Sequence, residues 1–279
     1  MSGYDLISVE PISAALGAVI RGVNCGSELS QAVIDEVRAA WLQYLVVFFP
    51  EQSVTPEQQL AFSRRFGQPV EYPMIQGLEG TPEVVAVVKL PHEKQNFGGI
   101  WHSDTTYLPS PPIGALLLAR ELPPVGGDTL FANMYMAYET LSVGLKQVLS
   151  GLRVVQSSAK AGAARSRVDR IKATSVPEPE VLEAEHAVVR VHPETGRKAL
   201  FVNYGHSVRF QGMTEEESEP LLSYLFRHQT RPEFTCRFTW SPRALAFWDN
   251  RCTQHNPVND YQGLRRVMHR VTLEGDRPR

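Results

Sequence analysis

His102 and Asp104 stand two residues apart in Trp101-His-Ser-Asp104. On an extended segment, residues i and i+2 share a side, so both can reach one ion while Ser103 faces away. Alone the pair says little: with eight histidines in 279 residues, chance supplies about 0.2 such pairs per chain. Two other segments add weight. Asp249-Asn-Arg-Cys-Thr-Gln-His255 follows an apolar run, Ala244–Trp248, and places a histidine just past its end. Arg265-Arg-Val-Met-His-Arg270 alternates, so Arg266, Met268 and Arg270 point one way and Val267, His269 and Val271 the other. Two guanidinium groups on one strand face need anions, because burying an unpaired charge is costly. Structural salt bridges and a bound small anion both meet that need. The chain has no G-x-S-x-G, H-E-x-x-H, P-loop or G-x-G-x-x-G.

The elements that must position these residues are mostly strands. Twenty Gly and twenty Pro punctuate short apolar runs, the pattern of a β-rich fold with long connections. Strands are expected at Leu45–Phe49, Val84–Lys89, Gly114–Arg120, Thr129–Ala132, Ala187–His192, Leu200–Asn203, Phe234–Trp240, Ala244–Trp248 and Arg266–Leu273. Helices are expected over Gln31–Tyr44, capped by Ser30, and after the capping box Thr55-Pro-Glu-Gln58, with Gly67 as its stop. Met134–Gly151 reads as two short helices broken near Ser142. Ser218–Gln229 reads as another, with Pro220 in its first turn. Strands joined by loops argue against a doubly wound fold and for a jelly roll with helices packed outside. The whole chain reads as one domain. Gln156–His186, basic in its middle, reads as a long loop that could serve as an active-site lid.

Composition excludes several function classes. A formal net charge of -2 provides no field for a polyanion, so no nucleic acid is expected. No apolar stretch approaches the roughly 20 residues that span a bilayer, so no membrane partner is expected either. The first ten residues carry acids and no base, unlike a signal peptide. Three scattered cysteines form no disulfide framework or zinc knuckle, and a cytoplasmic location is expected.

The order H-x-D, then Gly126-Gly-Asp-Thr129, then W-D-N-R-x-T-Q-H (Trp248 to His255), then R-R-x-M-H-R (Arg265 to Arg270) resembles the taurine dioxygenase family. That family of iron(II)- and 2-oxoglutarate-dependent oxygenases also includes 2,4-dichlorophenoxyacetate dioxygenases and alkylsulfatases. The resemblance runs from Leu16-Gly-Ala18 to Leu273-Glu-Gly-Asp276 and implies a double-stranded β-helix, a jelly roll. It implies iron ligation by His102, Asp104 and His255, a facial set that leaves three sites for keto acid and dioxygen. It implies that Thr129 and Arg266 hold the distal carboxylate of 2-oxoglutarate. Arginine suits the task because its fork meets a carboxylate bidentately and stays charged. Arg270 would then pair with the anionic head of a small organic substrate, hydroxylated beside a heteroatom as 2-oxoglutarate yields succinate and carbon dioxide. A homo-oligomer, dimeric or tetrameric, is also implied.

Some positions depart from the taurine pattern. Tyr72 stands where those enzymes place a sulfonate-binding histidine. Gly98-Gly99-Ile100 replaces polar residues before Trp-His, and His206 replaces a pocket phenylalanine. Tyr72, His206 and Ile100 are therefore candidate substrate contacts, and aryloxyalkanoates, sulfonates and alkyl sulfates are all candidate substrates. Trp101 and Trp248 are expected to be packing residues, and Asp128 is expected to face away from Thr129. Two alternatives fit the His/Asp set: a zinc hydrolase using it to activate water, and a non-catalytic jelly-roll binding protein.

Overall fold

The computed structural model describes residues 3–73, 75–160 and 181–278. Its first strands are β1 (Ser8–Pro11), β2 (Ala18–Arg21), β3 (Val46–Phe49), β4 (Pro69–Val70), β5 (Val84–Lys89), β6 (Pro112–Glu121) and β7 (Thr129–Asn133). There follow β8 (Arg153–Ser157), β9 (Glu183–Ala187), β10 (Val189–Val191), β11 (Lys198–Leu200) and β12 (Ser207–Phe210). The last are β13 (Thr235–Phe238), β14 (Leu245–Asp249), β15 (Thr253–Pro257) and β16 (Arg266–Gly275). The helices are α1 (Gln31–Tyr44), α2 (Pro56–Ser63), α3 (Met134–Glu139), α4 (Val143–Leu149) and α5 (Glu215–Gln229).

The larger sheet runs β1-β2-β3-β14-β6-β16-β4, with β5 also paired to β16, and a smaller sheet runs β13-β7-β15. Phe48, Ala246, Met268, Phe131 and Trp248 belong to one buried cluster shared by these two sheets, the arrangement of a jelly roll. The other face of the larger sheet is covered by helices. Ile34, Val37 and Trp41 of α1 form a buried stripe at helical spacing, and Trp41 stacks on Phe247 with ring centroids 4.2 Å apart. Because β14 and β6 are thus covered on both sides, they read as continuous apolar runs rather than alternating ones.

Local signals behave as the sequence implies where they are self-contained. The Ser30 hydroxyl accepts from the Val33 amide, both arms of the Thr55/Gln58 capping box are formed, and Ser142 starts α4. Three expectations need correction. α2 ends at Ser63, four residues before Gly67. α5 begins at Glu215 on a second capping box, Thr214/Glu217, so Pro220 lies inside the helix. The carbonyl it leaves without a partner is that of Glu216, which like Pro220 is on the exposed side, where water can take the bond. Finally, the ends of the expected loop at 156–186 are strands: β8 and β9 pair antiparallel, Ser157 opposite Glu183. Residues 161–180, with most of the basic run, lie outside the described residues. Among the described residues no helix is long and apolar enough to cross a membrane.

Candidate active site

The space between the two sheets gathers residues from five segments. β15 carries His255, and an isolated antiparallel bridge, His102 N–H to His255 C=O at 3.1 Å and the reverse at 2.8 Å, ties the Trp101–Asp104 segment to it. His255 therefore sits within a strand, not just past the end of one as its position after Ala244–Trp248 suggests. That strand is polar (Thr253-Gln-His-Asn-Pro257) and has no apolar alternation to reveal it. It forms because it completes the edge of β7, Phe131 opposite His255.

The metal-ligating atoms of His102, Asp104 and His255 all lie within 4.8 Å of one another, and all three residues are buried. Asp104 Oδ1 is 3.7 Å from Nε2 of each histidine. The other carboxylate oxygen, Oδ2, accepts from Trp248 Nε1 at 3.1 Å and lies 2.8 Å from an Arg270 amino nitrogen. Trp248 is thus more than packing: its indole N–H, which can only donate, holds the carboxylate so that Oδ1 is presented to the histidines. Burial alone would raise the Asp104 carboxyl, but the Arg270 guanidinium and then the two imidazoles overcome it and hold it well below the ordinary value. Burial and the His102 ring push His255 down to about 3, so its imidazole is neutral and able to ligate. His102 Nδ1 lies 2.7 Å from the Ile100 carbonyl. A carbonyl only accepts, so Nδ1 carries the proton and Nε2 keeps its lone pair. Gly98 and Gly205 flank this ring, and a Cβ at either would come within 2.9 Å of a His102 carbon. Two neutral imidazoles and one carboxylate on one side of a buried space fit iron(II) with open positions.

A cavity of about 470 Å³ opens from these ligands, walled by Val87, Phe97, Leu117, Phe131 and Pro257 and also lined by Thr129, Arg266 and Arg270. Arg266 is 5% exposed, and its Nε and one amino nitrogen have no hydrogen-bond partner. Trp240 Nε1 donates to Thr129 Oγ1 at 3.0 Å; with that lone pair taken, the Thr129 hydroxyl hydrogen can go to a ligand. Asp128 faces away, as expected, bonded to Arg237 at 2.5 Å and to Thr239. Two orphaned guanidinium nitrogens beside a donor hydroxyl make a site for a carboxylate.

Arg270 reaches a second, smaller cavity of about 210 Å³ lined by Tyr72, Ile75, Val85, Ala86, Val87 and Phe97. Its guanidinium carbon lies 4.9 Å from the Tyr72 ring centre, a cation–π contact. The other two candidate substrate contacts are less direct. His206 lies behind His102, ring centres 6.0 Å apart, with Nδ1 3.0 Å from Thr106 Oγ1. That hydroxyl is 2.5 Å from Gln156 Oε1, and Asn203 donates to both oxygens, so His206 belongs to a buried polar network. Ile100 contributes its carbonyl to His102. Phe97, absent from the sequence reading, lines both cavities; nothing in its local sequence distinguishes it from any other loop aromatic.

His192, Asp249 and Cys252 also cluster within metal-ligand range, but their bonding is saturated. His192 Nδ1 accepts the Glu194 and Thr195 amides, Nε2 lies 3.0 Å from Asp249 Oδ2, and Arg251 grips the same carboxylate bidentately at 2.7 and 2.8 Å. Burial pushes the Cys252 thiol well above its ordinary value. This cluster anchors the turn before β15 and offers no lone pairs to a metal.

The model of the taurine catabolism dioxygenase TauD, TfdA family matches residues 8–272. An α-ketoglutarate-dependent sulfate ester dioxygenase of Pseudomonas putida is 34% identical over 98% of this chain and 91% of its own length. An (S)-phenoxypropionate/α-ketoglutarate dioxygenase of Sphingobium herbicidovorans is 34% identical over 96% and 95%. Among solved structures, a taurine dioxygenase from Burkholderia xenovorans superposes with a TM-score of 0.83 at 39% identity, covering 98% of this chain and 93% of that one. AAD-2 in complex with Mn(II) and N-oxalylglycine gives a TM-score of 0.85 at 27% identity, covering 98% and 99%. The chain therefore belongs to the TauD/TfdA family and is an iron(II)- and 2-oxoglutarate-dependent dioxygenase.

Proposed function

We propose that this single-domain enzyme hydroxylates a small organic anion, an aryloxyalkanoate, alkyl sulfate or sulfonate, at the carbon beside its heteroatom. His102, Asp104 and His255 hold iron(II). Thr129 and Arg266 hold the distal carboxylate of 2-oxoglutarate, and Arg270 with Tyr72 takes the anionic head of the substrate. Bound together, iron, 2-oxoglutarate and dioxygen supply the oxidation that yields succinate and carbon dioxide as the substrate is hydroxylated. The protein's part is position, charge and dryness. Four residues along a strand span about 13 Å, so Arg266 and Arg270 can serve two different anions in one elongated space. The apolar walls exclude water and strengthen both contacts. The Trp248 N–H and Arg270 keep Asp104 ionised and oriented.

The observation that carries this reading is the pair of unpartnered Arg266 nitrogens lining the same cavity as the His/Asp/His donors. A zinc hydrolase would leave that buried cation idle. The relatives that act on sulfate esters and phenoxypropionate support the choice of anion classes, and the aromatic walls at Tyr72 and Phe97 favour substrates with an apolar body. The three buried free cysteines agree with a cytoplasmic home.

Succinate release by the iron-loaded protein across aryloxyalkanoates, alkyl sulfates, sulfonates and phosphonates tests the substrate assignment. One of the first three classes is expected to raise release about tenfold over the substrate-free rate, a gain of about 1.4 kcal/mol. A background rate that none of them raises would sink it. Trp248→Phe is expected to lower iron(II) affinity about 10–100-fold, as loss of a group orienting a ligand does, read in anaerobic metal titrations. An unchanged affinity would return Trp248 to packing.

A further inference from the structure

Lys89 ends β5 and is only 2% exposed. In the antiparallel register of β5 with β16 it stands directly opposite Arg266. Opposed residues of an antiparallel pair project from the same face, and like charges so placed repel. Val87, two residues back on that face, lines the cavity beside Arg266. The Lys89 ammonium has one long contact, 3.4 Å to the Tyr261 carbonyl, and lies 4.5 Å from the Tyr261 ring centre. Among the described residues no carboxylate lies within ion-pair distance of it. The acid closest in influence to Arg266, Asp128, is occupied by Arg237 and Thr239. Tyr261 also touches the Arg266 side: a Cβ on Gly127 would meet Tyr261 Cδ1 at 3.3 Å and Arg266 Cδ at 3.4 Å. Two cations therefore share one buried corner around Tyr261 with no protein anion between them, an arrangement that costs stability unless a ligand supplies the charge.

We propose that Lys89 is a positioning residue for the co-substrate, a second cation that makes the Arg266 corner select a keto acid with a distal carboxylate. The inference rests on the assignment of Arg266 to that carboxylate. Lys89 acts through the field it adds and through Tyr261, which it holds against the Arg266 side. A neutral side chain of equal length keeps the packing and removes the field.

The test is anaerobic calorimetric binding to the iron(II)-loaded protein of two keto acids, 2-oxoglutarate and 2-oxopentanoate. Both have the same chelating end, and only the first has the distal carboxylate. Lys89→Met is expected to weaken 2-oxoglutarate about tenfold, the size expected of a nearby cation at an effective dielectric near 20. It should leave 2-oxopentanoate within about twofold, and Lys89→Arg should restore most of the loss. Equal losses for both keto acids, or an unchanged affinity for 2-oxoglutarate, would overturn the proposal. Arg266→Met, run in parallel, separates the two layers of the argument. If it abolishes the preference for 2-oxoglutarate while Lys89→Met does not, only the role of Lys89 fails. If Arg266→Met leaves the preference intact, the assignment of the corner itself fails.

Discussion

Arg266→Met is expected to make the ligand-free protein more stable and at the same time to raise the KM for 2-oxoglutarate about a hundredfold. Both effects have one cause. Arg266 is buried with two unpartnered nitrogens, and burial pulls its pKa below the ordinary value although Tyr261 partly opposes this. Replacing an uncompensated buried charge with an apolar side chain of similar volume is commonly neutral or stabilising by about 1–4 kcal/mol. That is a rise in Tm of several degrees for a domain of this size. The same nitrogens give a bound carboxylate two charge-assisted hydrogen bonds, each contributing about 1.5–3 kcal/mol, and a net loss near 3 kcal/mol is about a hundredfold. Thermal unfolding without ligand and steady-state kinetics with varied 2-oxoglutarate read the two effects. A variant with lower Tm and unchanged KM would show Arg266 to be structural.

The second large effect is a contrast between two His/Asp clusters. His102→Ala is expected to cut succinate release by more than about a hundredfold, beyond the loss expected for an outer partner of a ligand, with little change in Tm. His102 Nε2 is committed to no strong protein bond, and only the Ile100 carbonyl loses a partner. His192→Ala is expected to do the reverse. Its Nε2 proton goes to a carboxylate in a wholly buried group, and two backbone amides rely on its Nδ1. Orphaning these groups costs about 1–3 kcal/mol of stability, while the folded fraction retains its iron affinity and turnover. Anaerobic iron titration and thermal unfolding of both variants decide the matter. Iron loss in the His192 variant, or an active His102 variant, would contradict the assignment of the two clusters.

What was legible in the sequence has short-range causes. The Ser30 cap, the Thr55 capping box and the break at Ser142 depend on residues within one turn. Val84–Lys89 and the alternation of Arg266, Met268 and Arg270 read correctly, since strand periodicity is a property of the chain itself. The start of α5 was misjudged because Glu215–Glu217 carry no apolar period, although Thr214 and Glu217 spell a capping box. The polar strand β15 was missed for a related reason: it is a strand only because β7 offers it an edge.

The sequence by itself determined the inventory: two histidines and a carboxylate in a spacing able to ligate, two arginines on one strand face, and a chain of short strands that closes as a jelly roll. Only the tertiary structure decided which of these side chains meet. The bridge between His102 and His255 joins residues 153 positions apart, and the register of β5 on β16 sets Lys89 against Arg266. It decided that Trp248 grips Asp104, and that Arg266 keeps free nitrogens where the Arg251 guanidinium is fully paired. Which partner a buried charge finds depends on sheet pairing across long sequence separations. That pairing is set by the burial of whole strand faces, not by any signal near the charged residue.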